Sequence, residues 1–112
     1  MANGCISTER ILNKLDEYLN KNDYDSALKH LLYWLSEAQL SGLGNIELLV
    51  RNELMGLYRK LGKEQEALQC VSAALKKIDE MRIQKQVGAA TTFLNCATVY
   101  KAFNMPQKAL PL

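Results

Sequence analysis

Apolar side chains recur along this chain with the period of a helix. Ile11, Leu12, Leu15, Tyr18 and Leu19 stand at i, i+1, i+4, i+7 and i+8, the spacing of one buried stripe. Leu28, Leu31, Leu32 and Leu35, joined by Trp34 and Ala38, renew it after a short break. Val50, Leu54, Leu57, Tyr58 and Leu61 form a third stripe, and Leu68, Val71, Ala74, Leu75 and Ile78 a fourth. Val87, Ala90, Phe93, Leu94, Ala97 and Tyr100 mark a fifth. No stretch alternates with period two, which argues against a sheet. The polar residues between stripes read as punctuation. Ser7 is placed to N-cap the first helix, and Asp23 the second. Asn22 and Gly62 suit a left-handed helix end, where a β-carbon penalises most other residues. Ser41-Gly42-Leu43-Gly44-Asn45 holds two glycines and a candidate cap in Asn45. Between the fourth and fifth stripes, from Arg82 to Gly88, Gly88 is the only breaker. Helices are therefore predicted at roughly 7–21, 24–40, 45–61, 64–83 and 87–103. A sixth begins near Pro106, whose missing N–H suits a first helical position, although Pro111 would then remove an intrahelical bond.

A second regularity lies over the first. Tyr18 is followed nine residues later by Ala27 and Leu28, Tyr58 by Ala67 and Leu68, and Tyr100 by Ala109 and Leu110. The tyrosines stand 40 and then 42 residues apart, with Asn22, Gly62 or Asn104 four residues after each. A period in this range means stacked helical hairpins, because a lone pair cannot bury its apolar face. The expected fold is all-α: antiparallel helix pairs stacked into an α-α superhelix, with about five long helices and a partial sixth. One domain over residues 1–112 would hold repeat one (about 7–42), repeat two (about 45–84) and an incomplete repeat three (about 87–112). Repeat three lacks a complete second helix and a polar capping helix. The chain is thus expected to be a piece of a longer protein, or to have its Phe93, Ala97 and Tyr100 stripe covered by another copy.

Each unit resembles a tetratricopeptide repeat, a helix–turn–helix with small and aromatic residues at fixed offsets. The first-helix triplet of that family is matched by Leu54, Met55 and Tyr58, and by Cys96, Ala97 and Tyr100. Its turn glycine is matched by Gly62 and replaced by Asn22 and Asn104, and its second-helix alanine is matched by Ala27, Ala67 and Ala109. The next packing positions match Leu31 and Val71, then Trp34 and Ala74. Lys14, Arg51 and Met55 depart from the pattern, and Trp34 stands where a small residue is common, so the first pair is expected to splay. The period exceeds the family's usual 34 residues or so. With Thr92-Phe93-Leu94-Asn95-Cys96-Ala97-Thr98-Val99-Tyr100, this makes the chain similar to the long-repeat subclass of kinesin light chains and bacterial relatives. The resemblance covers residues 7–112 and implies a bacterial-type repeat fragment.

Stepping 100° per residue from the stripe, the opposite face of the first helix in each pair collects Leu12, Asp16 and Leu19 in repeat one. It collects Leu49, Asn52, Gly56, Arg59 and Lys60 in repeat two, and Thr91, Leu94, Thr98 and Lys101 in repeat three. The resemblance implies that this face lines the inside of the superhelix and holds peptides. Leu12, Leu49 and Leu94 are nearly equivalent, an apolar strip suited either to helix packing or to a ligand. Arg59 and Lys101 are equivalent and Lys60 adjoins them, a basic end that is either a solvated surface or a contact for an acidic peptide. Asn13 and Asn95 share a rim position, with Asn52 one step away, and the family often uses Asn there to bond a peptide backbone.

Composition narrows the function without naming a partner. A formal charge of +2 is too small to suggest a nucleic-acid footprint, which needs a clustered basic face. The three cysteines, Cys5, Cys70 and Cys96, have no framework or CxxC spacing, and His30 is the single histidine, so neither a disulfide scaffold nor a zinc site is expected. Met1 to Leu15 lacks the apolar run of a signal peptide and no later segment suits a bilayer, so the default location is the cytoplasm. No catalytic constellation or phosphate loop can be assembled, and neither catalysis nor a cofactor nor a metal is expected. The expectation is a non-catalytic protein–protein interaction module that binds a peptide or helical segment on its concave face. No nucleic-acid or membrane partner is expected. The alternative is a regulatory, sensor or self-association arm of a larger signalling or transcription protein, with homo-oligomerisation through the uncapped third repeat.

Overall fold

The computed structural model describes residues 7–82 and 87–104. Five helices account for nearly all of them: α1 (Thr8–Asn20), α2 (Tyr24–Leu40), α3 (Gly44–Leu61), α4 (Glu64–Met81) and α5 (Val87–Ala102). No strand occurs among the described residues, and the fold is all-α. Every helix falls within two residues of its expected span. The helix expected from Pro106, with Ala109, Leu110 and Pro111, lies outside the described residues.

The helix ends follow from the residues that hold them. Ser7 accepts the Arg10 N–H on its Oγ at 3.2 Å, and Asp23 accepts the Ser26 N–H on Oδ1 at 3.2 Å. Hydrogen bonding from Ser26, first from its side chain and then from its backbone N–H, holds the Asp23 carboxyl below its ordinary value. Asn22, Gly62 and Asn104 all adopt left-handed φ, at 55°, 71° and 62°. Each donates its N–H to the carbonyl three residues back, those of Leu19, Arg59 and Lys101. Asp23 and Lys63 then reach the Tyr18 and Tyr58 carbonyls, both at 2.9 Å, which completes a Schellman motif in each. The tyrosine-registered turn is therefore the same backbone object wherever it is described. Gly42 closes α2 in the same way, with φ 68° and the Leu43 N–H on the Ala38 carbonyl.

Two boundaries differ from expectation. Gly88 lies inside α5, and the left-handed residue ending α4 is Arg82, φ 54°, its N–H on the Asp79 carbonyl. Asn45 does not cap α3, because the helix already begins at Gly44 and the Leu43 carbonyl accepts the Glu47 N–H.

The chain divides into two compact units, Met1–Val50 and Arg51–Leu112, the division falling within α3. In the first unit α1 packs on α2, burying Ile11 and Leu15 with Ala27, Leu31 and Ala38. Leu32 was expected on the buried stripe, but it points outward, 42 % exposed, because it stands 100° around the helix from Leu31. In the second unit α4 packs on α5. Its core holds Leu54, Met55, Leu57 and Tyr58 from α3 with Ala67, Cys70, Val71, Ala74 and Ile78 from α4. The buried side of α5 is Ala89, Thr92, Cys96 and Val99, while the expected stripe of Phe93, Ala97 and Tyr100 is only half-buried. On that side the Cys96 Sγ of α5 lies 3.9 Å from the Met55 Sδ of α3. Of the three registering tyrosines only Tyr58 is buried; Tyr18 and Tyr100 are half-buried.

Candidate functional site

In the second unit α3 sets Asn52, Gly56 and Arg59 at i, i+4 and i+7, on one side of the helix. On α5 Leu94, Thr98 and Lys101 keep the same interval, with Asn95 beside Leu94. The two rows meet through Asn52, whose Nδ2 donates to the Thr92 Oγ at 2.9 Å while its Oδ1 accepts the Asn95 Nδ2 at 3.1 Å. Thr92 is fully buried, so this polar bridge runs from the core out to the half-buried asparagine pair. Both ends of the Asn52 amide are thus engaged within the unit, and the Asn95 oxygen is the acceptor that remains.

Around the bridge the surface is open. A β-carbon built on Gly56 meets nothing within 4 Å, and its backbone is ordinary helix. Leu94 is 68 % exposed. The Thr98 hydroxyl donates to the Leu94 carbonyl at 2.9 Å, which keeps a polar group quiet beside it. Arg59, Lys60 and Lys101 are exposed in the last turns of their helices, where a cation also complements the helix dipole. The second unit therefore carries open space over Gly56, an exposed Leu94 and exposed basic residues in the last turns of α3 and α5.

The remaining candidates belong to the first unit. Leu12 and Leu49 are half-buried, and Asn13 and Asp16 are exposed. Asn13 borders an open cleft of about 450 Å³ together with Arg10, Lys14, His30 and Trp34. The His30 Nε2 donates to the Ile11 carbonyl at 2.9 Å, bridging α2 to α1 at the bottom of that cleft. Lys14 extends toward Glu17, 3.5 Å, with its ammonium 5.1 Å from the Tyr18 ring centre, and Tyr18 stacks edge-on against His30. Sequence reasoning did not single out this cleft; its signal was Trp34 at a position usually held by a small residue.

The buried thiols are chemically quiet. Burial pushes Cys96 up to about 12. Burial also raises Cys70, which the adjacent Arg51 guanidinium opposes through its charge and a hydrogen bond. Neither thiol is a ready thiolate at neutral pH. The Tyr58 and Tyr100 phenols are raised first by burial and then by neighbouring thiols, Cys70 and Cys96 respectively. Among the described residues no group of three or more His, Cys, Asp or Glu side chains is placed to hold a metal ion. No helix among them is long and apolar enough to cross a membrane. The chain matches no family model, no curated protein and no solved structure.

Proposed function

We propose that this chain is a non-catalytic, tetratricopeptide-like binding module that takes a peptide or short helix of a partner protein on the α3/α5 face of its second unit. The observation that carries this reading is the space over Gly56, a helix-interior glycine with no neighbour for a β-carbon, on the helix that Asn52 joins to α5, where Leu94 is exposed. Glycine inside a helix costs stability relative to alanine, which a packing or functional reason can offset. Close approach by another backbone is such a reason. An apolar side chain of the ligand would rest on Leu94 and Thr98, and an acidic residue would meet Arg59 and Lys101. Such a surface works by complementarity, with a few anchors supplying most of the affinity.

The test uses matched amphipathic helical peptides, one acidic and one basic on the polar face, titrated against the chain by fluorescence anisotropy. The acidic peptide binds, and Gly56→Trp, which occupies the open space over the helix, abolishes binding while the melting temperature does not fall. No binding by either peptide, or binding indifferent to Gly56→Trp, would remove the proposal.

A further inference from the structure

The cleft between α1 and α2 in the first unit differs in kind from the α3/α5 face. Its space of about 450 Å³ falls within the range of about 300–1,000 Å³ that small-molecule pockets occupy. Both helices contribute to it: Arg10, Asn13, Lys14 and Glu17 from α1, His30 and Trp34 from α2. The half-buried indole of Trp34 supplies a broad apolar wall.

Some of these side chains are already engaged. The His30 Nε2–H is held by the Ile11 carbonyl at 2.9 Å, which closes the floor. The Lys14 ammonium stands 3.5 Å from the Glu17 carboxylate and 5.1 Å from the Tyr18 ring centre. Arg10 is different. Its guanidinium makes no ion pair or hydrogen bond among the described residues, and neither the Asn13 amide nor the Trp34 indole N–H makes one. The register of the hairpin brings Arg10 and Trp34 to the same end of the cleft. Since α2 runs back along α1 with His30 at Ile11, Trp34 lies one turn further on, toward the start of α1 where Arg10 stands.

Those uncommitted groups specify a ligand. A guanidinium presents parallel N–H donors that match the two oxygens of a carboxylate. Lys14 and Glu17 offset each other, so a single negative charge on the ligand balances the lining, and a second would be repelled by Glu17. An indole face accepts an aromatic ring in offset or edge-on contact. We propose that this cleft binds a small aromatic monocarboxylate as a free acid, its carboxylate on Arg10 and its ring against Trp34. The site lies wholly within the first unit and does not involve the α3/α5 face.

Trp34 is the only tryptophan of the chain, so its fluorescence reports from inside the site. Phenylacetate titrated against the full chain changes Trp34 emission saturably, with a dissociation constant of about 1 mM or tighter. Phenylacetamide, which keeps the shape and lacks the charge, binds at least about tenfold more weakly. Arg10→Gln weakens phenylacetate at least about tenfold and brings it level with the amide. Lys29→Gln removes the same charge from an exposed α2 position outside the cleft and leaves the affinity within about twofold. Both variants keep native helical circular dichroism, because both side chains are exposed on helices. No saturable change in Trp34 emission overturns the proposal. Equal binding of acid and amide does so too, as does an equal loss in the two variants. A short peptide ending in phenylalanine that binds more tightly than phenylacetate would overturn the free acid as the occupant.

Discussion

Two glycines of this chain show how little a residue type means without its backbone. Gly62 has φ 71° and sits where α3 turns back, so a β-carbon there is strained however much room surrounds it. Gly56 has helical φ and equal room, so the only thing its missing side chain alters is flexibility and access. Alanine therefore has opposite effects at the two places. Gly56→Ala raises unfolding stability by about 0.5–1 kcal/mol. Gly62→Ala lowers it by about 1–2 kcal/mol. Urea denaturation with a shared m-value reads both, and a matching sign at the two sites would contradict the backbone assignment. Gly62, with Asn22 and Asn104, was legible because each follows an apolar stripe at a fixed distance from a tyrosine. Arg82 was not, although it does the same work with φ 54°, because an arginine in the left-handed region leaves no mark on the sequence. Nearby Gly88 drew the break toward itself and proved to be helical.

At the scale of elements, the helices were readable because stripes, caps and turns agreed, and Asp23 offers a titration of one such cap. Its carboxyl is lowered from 3.8 by hydrogen bonding from Ser26, the side chain first and the backbone N–H second. The charged form is thus the one the fold favours, so its contribution is complete above the unfolded value of 3.8 and disappears as pH falls through the lower folded value. Asp23→Asn keeps the cap and removes the titration. The native melting temperature should fall more steeply than that of the variant below about pH 4, and parallel curves would refute the assignment. How helices meet was less legible. Sequence equivalence pairs Asn13 with Asn95, yet the amide that Asn95 meets is Asn52, one step out of register on α3. That contact depends on how α5 sits against α3, which no periodicity encodes. Asn52→Ala removes two hydrogen bonds in a half-buried setting, costing about 1–3 kcal/mol. A double-mutant cycle with Asn95→Ala should return a coupling of about 0.5–1.5 kcal/mol, measured by denaturant unfolding.

At the scale of the molecule the question is whether charge acts by amount or by place. The chain carries only +2, too little to draw acidic partners by its overall field. If the α3/α5 face prefers an acidic peptide, the preference comes from Arg59 and Lys101, which stand at repeat-equivalent positions in the last turns of α3 and α5. Lys63 and Lys76 are also exposed in the second unit, on or beside α4. Reversing either pair to Glu changes the net charge by the same amount, so the two double variants separate field from contact. Arg59→Glu/Lys101→Glu should weaken the acidic peptide at least about tenfold and flatten the dependence of its affinity on salt. Lys63→Glu/Lys76→Glu should leave both nearly as they are. Fluorescence anisotropy at low and near-physiological salt measures the four affinities. Equal losses in the two variants would mean that the peptide feels only the whole charge, and the basic end of the face would then be ordinary solvated surface.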